Sequence, residues 1–276
     1  MLNTILQGII QGLTEFLPVS SSGHLSIFQY FTKSQTIENG STMTFDLVLH
    51  FGTLIAVIYY FWKDIVPYFT IKGWKDPSRR KIAWLVIAAS IPTAIIGFTF
   101  KKKIEAMMEN PIAVCCCFLF TGAILLISEK LKKQNENSTT LPELTYGKAV
   151  ATGIAQGIAC APGISRSGST IAAGLICGLK GEEAARFSFL LMIVSVGGAT
   201  LLEGIKVLKI VKEIGHLPEG LIPSHLIVGA ITSMIVGFLS LKFLVYIINK
   251  QKLSYFAYYL FAVSIICISL IKFAGM

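Results

Sequence analysis

Residues 17–24 read Leu17-Pro18-Val19-Ser20-Ser21-Ser22-Gly23-His24, and residues 161–170 read Ala161-Pro162-Gly163-Ile164-Ser165-Arg166-Ser167-Gly168-Ser169-Thr170. Laid over one another at one constant offset, Ser20 falls on Ser165, Ser22 on Ser167 and Gly23 on Gly168, and upstream Gln11-Gly12 falls on Gln156-Gly157. A gapless register shared by a Gln-Gly pair and a Ser-x-Ser-Gly quartet marks an internal repeat. Each stretch interrupts a run that is apolar at both ends, about Leu2 to Phe31 and Tyr146 to Leu179. Pro, Gly and Ser break a helix, so neither run reads as a plain crossing.

Six uninterrupted apolar runs accompany them: Phe45 to Trp62, Ile82 to Phe100, Ile112 to Ser128, Phe187 to Leu208, Leu226 to Ile248 and Tyr255 to Phe273. About 20 apolar residues span about 30 Å of hydrocarbon as a helix. The chain is 54% hydrophobic and 14% charged, with mean hydropathy +0.69, against about 25% charged residues in soluble domains. The expected fold is an all-α integral membrane protein, residues 1–276 forming a single membrane domain with repeat halves 1–140 and 141–276. It has about six transmembrane helices plus two re-entrant helix-loop-helix segments. Each half holds one broken segment followed by three crossings. If the broken segments enter and leave on one face, the odd count inverts the second half, as in folds whose broken helices meet near the midplane. If they cross completely, the halves are parallel.

The formal charge of +9 raises the question of nucleic acid. The basic residues cluster between apolar runs: Lys72, Lys75, Arg79, Arg80 and Lys81, then Lys101 to Lys103, then Lys130, Lys132 and Lys133. That placement suits headgroups and topology, and no basic and aromatic interleaving supports nucleic acid. Lipid is the expected surrounding partner. The six cysteines lie in or beside apolar segments without metal or disulfide spacing, and read as small buried hydrophobes. The N-terminus lacks a basic start and a cleavage site, so the first apolar segment is expected to remain.

Irregular backbone at membrane depth must be buried in protein or line a wet cavity. Two Ser/Gly breaks therefore imply one polar cavity. Glu15 stands one helical turn from Gln11, so carboxylate and amide share a face. Ionisable groups inside membrane segments mark pathways or sites; Glu15 suits a divalent cation or acid and base work. His24 follows the serines closely enough for imidazole and hydroxyl to reach a common phosphorus, a nucleophile and base set, with a packed structural histidine as the bland alternative. Arg166 selects an anion, since its fork matches phosphate oxygens, and the serines around it extend a phosphate cradle. The bland reading of Arg166 is a structural salt bridge to Glu15. Asp46, His50, Glu182, Glu183 and Arg186 are read as helix-end and interfacial charges, outside the site.

The run Gln11-x-x-x-Glu15-Phe-Leu-Pro-Val-Ser-Ser-Ser-Gly-His24 and the run Pro162-Gly-Ile-Ser165-Arg166-Ser-Gly-Ser-Thr170 resemble the bacitracin-resistance family of undecaprenyl-diphosphate phosphatases over nearly the whole chain. The resemblance implies hydrolysis of undecaprenyl diphosphate to the monophosphate carrier and inorganic phosphate, recycling the carrier for cell-wall synthesis and conferring bacitracin resistance. It assigns Glu15 to a metal or acid and base role, Ser21 and His24 to attack, and Ser165, Arg166 and Thr170 to phosphate binding. Ser20, Ser22 and Ser167 are the further hydroxyls expected around the phosphates. The implied cofactor is Mg2+ or Ca2+, held by Glu15 with Gln11. The family carries Glu or Gln at the opening position, and Gln11 leaves this site one carboxylate. The implied location is the cytoplasmic membrane, multi-pass, with the site facing the extracytoplasmic side. Gly197 and Gly198 would permit close helix contact in a homodimer. The rival reading is a lipid-phosphate transporter or flippase using the same broken-helix cavity.

Overall fold

The computed structural model describes residues 1–32, 41–134, 139–216, 221–249 and 252–273. The side chains of Lys132 and Lys133, expected to contact headgroups, lie outside the described residues. No strand forms among the described residues, and helices follow one another as α1 (Leu2–Phe16), α2 (Ser21–Thr32), α3 (Ser41–Tyr60), α4 (Trp62–Ile65), α5 (Ile71–Trp74), α6 (Pro77–Thr99) and α7 (Lys101–Met108), then α8 (Pro111–Gln134), α9 (Tyr146–Ile158), α10 (Arg166–Ile176), α11 (Gly181–Ile214), α12 (Pro223–Asn249) and α13 (Ser254–Phe273).

Five of these helices, α6, α8, α11, α12 and α13, contain a stretch long and apolar enough to cross a bilayer. The crossing expected at Phe45 to Trp62 is α3, which bends by 73° into the short helices after it and makes a sixth only if that pair is one span. Local signals place the ends. Asp76 caps α6 by accepting from the Ser78 amide, with Pro77 in the first turn where its missing N–H costs nothing. α11 starts with Glu182 and Glu183 in its first turn and stops at Gly215, whose φ of 79° terminates it in the left-handed conformation.

The surface identifies the solvent. Trp84, Ile95 and Phe98 of α6, Leu239 and Phe243 of α12, and Tyr258, Ile265 and Ile266 of α13 are each more than half exposed. A water-soluble protein does not display so continuous an apolar belt. With its helices apolar all round, this is a multi-pass membrane protein.

Close packing holds the broken segments. α1 lies along α12, and α9 lies along α6. At Gly12 a Cβ would come within 2.7 Å of the Ser233 carbonyl oxygen, and at Gly153 within 2.0 Å of that of Ala89. Only glycine lets these backbones approach so closely, and close approach is what drives helix association where lipid removes the hydrophobic term. Thr93 of α6 donates to the Gly153 carbonyl at 2.8 Å. That bond seals one glycine contact. Ser233 of α12 donates to the Leu49 carbonyl at 2.9 Å and ties the same helix to α3.

Candidate active site

The two breaks share their serine caps and differ in backbone, the left-handed residue being Ser20 in the first and Gly163, the equivalent of Pro18, in the second. After α1, Ser20 adopts a φ of 70°, and its Oγ accepts from the Gly23 amide at 3.4 Å. After α9, Gly163 adopts a φ of 89°, and Ser165 Oγ accepts from the Gly168 amide at 3.0 Å to cap α10. Ser20 lies 3.4 Å from Ser22 and Ser165 3.1 Å from Ser167, hydroxyl to hydroxyl. The same motif therefore makes the same cap twice. Thr121 of α8 braces the second break, donating to the Gly163 carbonyl at 3.0 Å and accepting from the Ser165 amide at 3.2 Å. The breaks also touch: Ser167 Oγ donates to the Leu17 carbonyl at 3.1 Å.

Glu15 is the centre of the joined breaks. Its side chain is buried, and Arg166 Nη2 donates to Oε1 at 3.1 Å. Ser21 Oγ donates to Oε2. Gln11 Nε2 also donates to Oε2, at 3.1 Å. His50 Nδ1 stands 3.3 Å from Oε2 and 2.8 Å from Gln11 Nε2. A carboxylate removed from water needs such partners, because burying an unpaired charge is costly. One carboxylate thus holds a hydroxyl on one oxygen and a guanidinium on the other.

The remaining expected residues divide. Thr170 is buried beside Arg166, donating to the Arg166 carbonyl at 2.8 Å, with its Oγ1 2.6 Å from Ser188 Oγ. Ser165 and Ser167 are buried and engaged in capping and in joining the breaks. Ser20 and Ser22 form the first cap, with Ser20 buried and Ser22 half-buried. His24 stands apart from Glu15, Ser21 and Arg166 in its contacts. Its Nδ1 lies 2.8 Å from the Ser20 carbonyl and its Nε2 2.9 Å from the Tyr259 hydroxyl, with the two rings stacked at 5.7 Å. The salt bridge between Arg166 and Glu15, weighed as the bland reading of Arg166, is formed.

Three groups escaped the sequence reading. His50, placed among the helix-end charges, instead faces Glu15 from α3; the signal was there, an ionisable residue inside an apolar run, the same criterion that singled out Glu15. Gln156, noticed only as the repeat partner of Gln11, lines a small cavity with Glu15, Arg166 and Thr170. Ser188 joins it from α11, and nothing in a lone serine within an apolar helix announces such a role.

A larger groove of about 380 Å³ runs from Arg166 and Gln156 along Thr93, Phe98, Val194 and Leu202 to Lys101 and Lys206 at its rim. A polar centre with an apolar annex is the shape of a site for an amphiphile.

The chain matches the family described as bacitracin resistance protein BacA over residues 4–266. It belongs to that family. Within it, the chain is similar to proteins named undecaprenyl-diphosphatase: 39% identical to that of Methanosphaera stadtmanae, over 98% of each chain. It is 41% identical to that of Halothermothrix orenii over 96% of each, and 40% identical to that of Treponema denticola over 93% of this chain and 92% of the other. The match spans both broken segments, helices α2 to α12 and most of α1 and α13.

Proposed function

We infer that this BacA-family chain works as an undecaprenyl-diphosphate phosphatase through the hydroxyl of Ser21. It hydrolyses undecaprenyl diphosphate to undecaprenyl phosphate and inorganic phosphate, returning the lipid carrier to cell-wall synthesis, an activity that goes with bacitracin resistance. The observation that carries the catalytic assignment is Ser21 Oγ donating to Glu15 while Arg166 holds the opposite carboxylate oxygen. Serine is a weak nucleophile until a neighbouring base takes its proton, and Glu15 is positioned to do so. Arg166, placed beside that pair, would move onto the terminal phosphate and neutralise the charge that spreads over its oxygens during transfer. In this reaction Ser21 Oγ bonds to the terminal phosphorus and the bridging P–O bond breaks. Glu15 takes the serine proton and passes it to the departing lipid phosphate. Water then cleaves the phosphoseryl group.

Ser20, Ser22, Ser165, Ser167 and Thr170 surround the same spot, and the paired caps leave α2 and α10 with their N-termini turned to the breaks. Helix N-termini favour phosphate. His24, held by Tyr259, would orient the Ser20 backbone and the first loop. The first isoprene units of the tail would lie in the groove lined by Phe98, Val194 and Leu202, which begins at Arg166, with the rest of the tail in lipid. A carrier that only moves the lipid needs no hydroxyl paired to a base, so the Ser21 and Glu15 contact favours hydrolysis.

A divalent cation fits as a companion of the substrate. Gln11 Oε1 is a buried oxygen that accepts no hydrogen bond from the protein, beside a single carboxylate. One carboxylate and one amide oxygen would touch Mg2+ or Ca2+, with the diphosphate supplying most other ligands. Such an ion supplies neutralisation of the diphosphate charge.

The broken segments read as re-entrant hairpins in an inverted repeat, with halves 1–140 and 141–276. Two observations support it: α1 packs on α2 and α9 on α10, and each first helix lies against the second long helix of the other half, α1 on α12 and α9 on α6. The groove opens near Lys101, where α6 ends. Arg79, Arg80 and Lys81 begin that helix at the opposite end, next to Lys72 and Lys75 of α5 and its cap, a basic cluster larger than Lys101 to Lys103. By the positive-inside rule that end is cytoplasmic, and the site opens to the extracytoplasmic side of the cytoplasmic membrane.

The test is phosphate release by purified protein in detergent from undecaprenyl diphosphate, with and without added Mg2+ or Ca2+, beside Ser21→Ala. Release that the substitution removes, with label from the terminal phosphate trapped on wild-type Ser21 by acid quench, is the expected result. Full activity in Ser21→Ala would refute the assignment.

A further inference from the structure

Gln156 sits at the end of α9 at the position that repeats Gln11, 2% exposed, and its amide nitrogen makes only a long 3.5 Å contact to the Leu191 carbonyl. Its Oε1 is buried and accepts no hydrogen bond from the protein. A buried carbonyl left without a donor is costly unless something else supplies one. That oxygen belongs to a side chain lining a cavity bounded by Glu15, Arg166, Thr170, Ser188 and Ser195. The cavity's volume, about 10 Å³, is one water molecule's worth of room; most of its wall is apolar, and Glu15, Arg166, Thr170 and Ser188 among its lining residues carry the hydrogen-bonding groups a buried water requires.

We propose that this cavity is the seat of the hydrolytic water, held by the Gln156 carbonyl for attack on the phosphoseryl intermediate. The inference rests on the Ser21 reading above. Geometry separates the two reagents around one carboxylate. Ser21 Oγ bonds to Glu15 Oε2, while Arg166, on Oε1, borders the cavity together with Glu15 itself. A phosphoryl group on Ser21, drawn toward Arg166, would stand between the serine and the cavity, with the water on the far side of the phosphorus from the oxygen it must displace. In the step, the water oxygen bonds to phosphorus as the bond from phosphorus to Ser21 Oγ breaks. The electron pair of that bond stays on Oγ. Glu15 accepts a proton from the water and hands it to Oγ, regenerating the serine, and the product is hydrogen phosphate. Gln156 does no proton transfer. Its carbonyl fixes the water by accepting the hydrogen that Glu15 does not take, and Ser188, itself fixed by Thr170 at 2.6 Å, closes the opposite wall.

The repeat explains why such a group exists. Gln11 and Gln156 are equivalent positions, each with an unpaired carbonyl oxygen, yet only Gln11 contacts Glu15 directly. One copy holds the base, and the other holds the water.

The test uses purified full-length protein and undecaprenyl diphosphate carrying label in its terminal phosphate. Gln156→Met keeps size and removes the acceptor; kcat should fall about 100-fold, the loss that misplacing a reacting group produces, with KM falling alongside so that kcat/KM is unchanged while labelled phosphoseryl enzyme accumulates. Gln156→Ala should enlarge the cavity enough to admit methanol, so in water containing methanol it should form methyl phosphate where wild type forms inorganic phosphate alone. That product ratio does not depend on how much protein is folded. Wild-type turnover in Gln156→Met, or a raised KM with unchanged kcat, would overturn the proposal, as would wild type making methyl phosphate in proportion to bulk methanol. If wild type itself never labels Ser21, the underlying reading fails instead.

Discussion

Arg166 Nη2 lies 3.1 Å from Glu15 Oε1, a contact between residues 151 apart in the chain. It joins the end of α1 to the start of α10, the two places where the internal repeat interrupts its helices. Glu15 is almost fully buried and Arg166 keeps 30% of its side chain exposed. The guanidinium can therefore turn toward a phosphate without leaving the site, whereas the carboxylate stays.

Removing Arg166 should disable catalysis more than folding. Arg166→Ala is expected to lower phosphate release about 100-fold to 1000-fold, the loss typical of deleting one donor to a developing anion. Arg166→Lys should recover only part of it, because an ammonium lacks the fork that spans two phosphate oxygens. Rates measured on both variants at saturating substrate check the expectation; wild-type rates would remove Arg166 from the mechanism.

His50 should matter although it lies in a long apolar helix. Its ring stands within hydrogen-bonding distance of Gln11 and beside Glu15. A hydrogen bond involving a charged group is worth about 1.5–3 kcal/mol, so His50→Leu is expected to cost about 10-fold to 100-fold in kcat/KM. His50→Gln, which restores a polar atom near the same place, should recover much of that. Steady-state kinetics of the pair decide it, and equal activity of His50→Leu and wild type would show that His50 only packs.

The glycine contacts should be intolerant at closely packed positions and permissive elsewhere. A Cβ at Gly153 would meet the Ala89 carbonyl at 2.0 Å, while one at Gly198 would meet nothing within 4 Å. Gly153→Ala should destabilise the protein by about 1–3 kcal/mol, as overpacking does, and Gly198→Ala should leave it unchanged or slightly firmer. Thermal unfolding in one detergent compares them; equal melting temperatures would mean that α9 shifts freely against α6.

His24 should prove a positioning residue. Its two ring nitrogens are taken up by the Ser20 carbonyl and the Tyr259 hydroxyl. Tyr259→Phe frees Nε2 without touching the phosphate site and should reduce turnover about threefold to tenfold, the value of one neutral hydrogen bond. A loss as deep as that of Ser21→Ala would instead place His24 at the reacting phosphorus.

Much of this protein was legible in its sequence because its strongest signals are local. Runs of about 20 apolar residues mark bilayer helices wherever they pack. The Ser-x-Ser-Gly motif makes its own cap in each copy, since Ser20 and Ser165 bond amides only three residues away. Glu15 and Arg166 stood out as charges that lipid would not leave unpaired. Tertiary structure alone decided the partners. Which oxygen of Glu15 receives Ser21 and which Arg166, that His50 of α3 faces the site, that His24 turns to α13, and that Gln156 borders a water-sized cavity all depend on how separate helices are laid side by side. Those contacts follow from backbone approach at positions such as Gly12 and Gly153. A sequence states that glycine is there, but the neighbour it admits is chosen only when the helices meet.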